Sequence, residues 1–86
     1  MALSAAAERI LAKHERHQRR VWARMVRTAA RLLWQDDMRR CGRAQAGTYD
    51  YERDPSLQDI VTRLLADRTV RHIDIPRRAF RAYCED

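Results

Sequence analysis

The sequence predicts an all-α chain, on three observations. Gly and Pro each occur only twice in 86 residues, against abundant Ala, Leu and Arg. Neither breaks the stretch from Ser4 to Cys41. Along that stretch the apolar side chains recur at i, i+3, i+4 and i+7, the spacing of one helix face. The expected architecture is one long N-terminal amphipathic helix followed by a loop and two short helices. All of it forms a single small domain over 1–86, divided into a basic long helix (1–43), a loop (44–56) and two short helices (57–86).

The first helix has matching end signals. Ser4 suits the N-cap, Arg39 and Arg40 sit in the last turn, and Gly42 follows as a residue past the C-terminus. Glu15 with Arg19 and Asp36 with Arg40 are i, i+4 pairs in the stabilising orientation. The polar patch "HERHQRR", His14 to Arg20, is its weakest point, and a kink at residues 14–20 is allowed for there. "RAQAGTYDYERDPS" reads as a loop containing Gly47 and Pro55. The second helix starts behind Asp54-Pro55 or behind Ser56-x-x-Asp59, with Leu57, Ile60, Val61, Leu64 and Leu65 on one face. "TVRHIDI" reads as an extended connector. Asp74 is the expected cap of a last helix that tolerates Pro76 in its first turn and packs through Ala79, Phe80 and Tyr83.

At about 1.5 Å per residue, a first helix of about 38 residues runs near 57 Å, whereas a second of about 12 covers only about 18 Å. A chain this short builds a marginal core, so an uncovered apolar face predicts a partner. The competing expectation is a break near His17 that folds the chain back into a compact four-helix domain.

Net charge is +6, with Lys13 the only lysine. Residues 1–43 carry 11 Lys and Arg against 4 Asp and Glu, and residues 44–86 carry 7 against 8, so the basic character belongs to the first half. Arg9, Lys13, Arg16, Arg20, Arg24, Arg27 and Arg31 advance by three or four residues and form one basic stripe opposite the apolar face. It suits an acidic partner or phosphates, and a plain solvated face is the bland alternative. Trp34 projects beside Arg27 and Arg31, as a hot spot, a base-stacking platform, or a residue wrapped by a later helix. Trp22 falls among the apolar positions.

Few features suggest catalysis. The chain has no Gly-rich phosphate loop, Ser4 and Ser56 are its only serines, and no local spacing assembles a nucleophile, base and acid. The expectation is a non-enzymatic protein with no catalytic residues and no cofactor. His14-x-x-His17 has a chelating spacing, but Cys41, His72 and Cys84 are scattered, so no metal site is expected. Two cysteines make no disulfide framework and are read as small buried or half-buried apolar residues. The expected location is a cytoplasmic, reducing compartment. An organelle matrix is the alternative, because the Ala- and Arg-rich start is somewhat like a transit peptide. "DIVTRLLADRTVRHIDI", Asp59 to Ile75, resembles the two-helix reader of bacterial regulators up to its turn. There the spacing is too short and Pro76 interrupts, so no family follows.

The predicted function is that of a helical interaction protein, an accessory subunit, adaptor or inhibitor. Its long helix docks on a larger protein or on a second copy through Leu11, Trp22, Met25, Val26, Ala29 and Leu33. The alternative is a nucleic-acid-binding protein or ribonucleoprotein subunit that uses the basic stripe. A membrane surface is the least favoured partner. Tyr49 and Tyr51 fit either an acidic-aromatic docking loop or packing over the helix junction.

Overall fold

A computed structural model describes residues 4–41 and 49–85. Helix α1 spans Ala5–Cys41, α2 spans Pro55–Ala66 and α3 spans Ile75–Glu85, with 3-10 turns at Tyr51–Arg53 and His72–Asp74. There is no strand among the described residues. Ser4 caps α1 as expected, its hydroxyl accepting from the Ala7 amide at 3.2 Å. The helix then runs unbroken through His14 to Arg20. Neither the kink nor the fold-back near His17 occurs, because that patch is polar without containing Gly or Pro, and charged and amide side chains propagate a helix well. Gly42 lies outside the described residues.

Asp54 starts α2: its carboxylate accepts from the Ser56 amide at 2.8 Å, and Pro55 occupies the first turn where its missing N–H costs nothing. The connector is less extended than expected. Asp67 closes a turn on Thr69, and His72–Asp74 winds directly into α3. Asp74 therefore does not take the expected cap role; its carboxylate accepts from the Arg71 guanidinium at 3.0 Å.

Helices α2 and α3 pack on each other and on the C-terminal part of α1. One core results, built from Met25, Val26, Ala29, Ala30 and Leu33 of α1, Leu57 and Val61 of α2, Val70, and Ile75 and Ala79 of α3. Leu57, Val61 and Ile75 are wholly shielded from water. The N-terminal part of α1 receives no such cover, and every residue from Glu8 to Arg20 is exposed.

Overall dimensions record that asymmetry. The longest dimension, 56 Å, is the length of α1 itself. The radius of gyration is 16.2 Å, where a compact chain of this length has about 12 Å. The accessible surface is 7184 Å², against roughly 5300 Å² for a compact monomer of this mass. The molecule is a small three-helix body with a projecting helical arm.

Candidate functional site

The arm, Ala5–Arg20, leaves Ile10 69% and Leu11 47% exposed. It carries five Lys and Arg against two Glu. Among the predicted partner-facing residues, Leu11 is on this free surface. Met25, Val26, Ala29 and Leu33 are not: they are buried in the chain's own core and have no surface to offer a partner. Trp22 is also committed internally. It is half-buried against that core, and its indole N–H donates to Thr62 Oγ1 at 3.1 Å, tying α1 to α2. The six residues share a helical face by spacing, but the short helices cover the C-terminal stretch of it. Exposed large apolar side chains on α1 are thereby reduced, among the described residues, to Ile10 and Leu11 on the arm and Trp34 near the other end.

The basic stripe keeps its predicted placement. Arg9, Lys13, Arg16, Arg20, Arg24, Arg27 and Arg31 are all exposed, and at 1.5 Å per residue they run about 33 Å along the helix. Among the described residues, Arg27 alone of the seven has an ion pair, a loose 4.0 Å contact with Glu52. Exposed like charges at this spacing repel, so the stripe costs α1 some stability rather than adding to it.

Trp34 ends the stripe and is 40% exposed, so neither short helix wraps it. The loop lies beside it instead. Arg27, Arg31 and Trp34 on one side and Tyr49, Asp50, Tyr51 and Glu52 on the other line an open depression of about 280 Å³.

Behind this depression lies a polar cluster that local spacing could not assemble. The buried Asp54 carboxylate accepts hydrogen bonds from Tyr49 (2.7 Å) and from Tyr83 (2.5 Å) on α3. Tyr51 donates to Asp37 on α1. Its ring meets Tyr49 and Tyr83 edge-on, at centroid distances of 4.8 and 5.8 Å. Burial pushes the Asp54 carboxyl upward, but the bonds from Tyr83, Tyr49 and the Ser56 and Leu57 amides outweigh it and hold it below its ordinary value. Tyr51 is pushed up, first by burial and then by its bond to Asp37, and Tyr83 is pushed up mainly by its bond to Asp54. These shifts follow from the burial of the cluster and from the hydrogen bonds its members make with one another and with Asp37. The cluster is a tether that joins α1, the loop and α3, and it accounts for Tyr49 and Tyr51 as packing over the helix junction.

Other candidates separate. His14 and His17 are both exposed, and His14 Nε2 lies 3.2 Å from the Gln18 amide nitrogen. Among the described residues no three His, Cys, Asp or Glu side chains group as metal ligands. Cys84 is a free, exposed thiol rather than the buried or half-buried apolar residue expected, and the Cys41 side chain lies outside what is described. No helix among the described residues is long and apolar enough to cross a membrane. Neither family models, curated proteins nor solved structures contain a match to this chain.

Proposed function

We propose that the chain is a non-enzymatic interaction protein whose projecting arm docks on a larger, acidic protein. The observation that carries this reading is the uncovered stretch Ala5–Arg20, which continues as helix well beyond the body that stabilises it. A helix of about 16 residues is marginal in water by itself. Docking supplies the missing cover for Ile10 and Leu11, while the surrounding cations select a negative surface. A second copy is the weaker choice, because two arms with an excess of Lys and Arg repel each other.

The test is capture of partners from native cells, after nuclease treatment, by the intact chain and by an Ile10→Asp, Leu11→Asp variant. Both substituted positions are exposed, so the variant should melt as the parent does. A defined protein set that the variant loses at least about tenfold supports the reading. Equal retention by both contradicts it.

One observation favours a second reading, contact with nucleic acid: the seven stripe residues are all exposed along one helix. Binding to random-sequence duplex would then fall roughly a thousandfold or more between 50 and 200 mM salt. An Arg20→Glu, Arg24→Glu, Arg27→Glu variant would abolish it, and duplex binding unaffected by that triple reversal would remove the reading.

A further inference from the structure

Three kinds of group converge on the depression at the C-terminal end of the stripe. Trp34 offers a flat, part-exposed indole, Arg27 and Arg31 offer guanidinium groups, and Asp50 and Glu52 face them with carboxylates. Bonds outside the depression fix its aromatic wall, since the Tyr49 hydroxyl is held by Asp54 and the Tyr51 hydroxyl by Asp37. The two carboxylates are not equivalent. Asp50 already accepts from the Glu52 amide at 3.1 Å and pairs with Arg53 at 3.5 Å. The Glu52 carboxylate has only the 4.0 Å contact with Arg27 among the described residues, so it can accept a new donor.

This mixture discriminates between ligands. The carboxylates disfavour a plain polyanion, and the arginines disfavour a cation. A ligand that satisfies all three groups has a planar ring to stack, an amino group on the ring edge and a negative tail. We propose that the depression binds a nucleotide with an amino-bearing base, free or within a single strand. The base stacks on Trp34, its exocyclic amino group donates to Glu52, and its phosphate meets Arg31 and Arg27. A paired duplex is excluded, because its bases show edges rather than faces to a side chain on the outside. The inference uses neither Ile10 nor Leu11, so it goes beyond the docking reading and fails independently of it.

The experiment is a titration followed by tryptophan emission in a Trp22→Phe background, repeated by calorimetry on the unaltered chain in case loss of the Trp22 bond to Thr62 loosens the body. The probes are CMP, UMP, oligo(dC), oligo(dT) and inorganic phosphate. Cytosine ligands should saturate at concentrations roughly fivefold or more below their uracil and thymine counterparts. Trp34→Ala should weaken binding roughly 5- to 150-fold, and Glu52→Gln should erase the cytosine preference. The Leu11→Asp variant should bind as the parent does. Saturation by CMP points to a free nucleotide, and saturation by oligo(dC) without CMP points to a strand, both supporting the site. Absence of saturation by every probe, equal binding by Trp34→Ala, or inorganic phosphate binding as well as CMP would overturn it.

Discussion

The two halves of α1 share one helix and one periodicity, yet they have opposite fates. From Val21 to Met38 the apolar positions are large or closely spaced, and α2 and α3 close over them. From Ala5 to Arg20 the same face holds alanines, Ile10, Leu11 and histidines, and among the described residues every one from Glu8 to Arg20 is left exposed. Helical period alone therefore does not define a docking face. The density of apolar side chains along the face, and the length of the elements available to shield it, decide which part becomes core and which remains surface.

Substitutions sharpen this contrast, and the largest effect is expected in the covered half's partners. Leu57→Ala removes a fully buried side chain and should cost about 2–5 kcal/mol, a large fraction of the stability of so small a domain, read as a drop in the thermal midpoint. Next comes the tether. Asp54→Ala removes a helix cap and leaves the Tyr49 and Tyr83 hydroxyls without their acceptor, at a cost of about 2–3 kcal/mol in a denaturant titration.

The tether also predicts a pH dependence. Asp54 is held below its ordinary value, so the unfolded chain binds more protons in acid. Its contribution is fully present above about pH 4, the unfolded value, and is lost as pH falls through the lower folded value. Tyr51 and Tyr83 are shifted upward, so their contribution is complete below about pH 10 and is lost as pH rises toward their folded values. The Asp54 and Tyr83 shifts describe one hydrogen bond seen from its two ends and are not additive. Melting midpoints across pH should fall at both extremes, and Asp54→Asn should flatten the acid side. The smallest effect belongs to the uncovered half: Leu11→Asp should change stability by no more than about 0.5 kcal/mol, measured by the same melts.

Much of the fold was legible because its signals are local. The Ser4 cap, the Asp54-Pro55 start of α2 and the Asp36–Arg40 pair, which forms at 3.1 Å, each need only a few consecutive residues. Trp34 was placed beside Arg27 and Arg31 by the helical angle alone. What escaped is long-range. Tyr83 lies 29 residues from Asp54 and Tyr51 lies 14 from Asp37, and no spacing rule pairs them. A polar residue expected only as a cap proved to be the buried centre of the junction. Likewise, spacing put Met25, Val26, Ala29 and Leu33 on the same face as Leu11, but it could not tell where the short helices would lie over that face.

The most direct test of the divided helix is native-state amide hydrogen exchange, residue by residue along α1 of the isolated chain. Protection should approach the global unfolding free energy around Val26 to Leu33 and fall steeply toward zero between Arg20 and Glu8. Uniformly high protection from Glu8 to Leu33 would mean that the arm is covered in the isolated chain, and it would contradict the account.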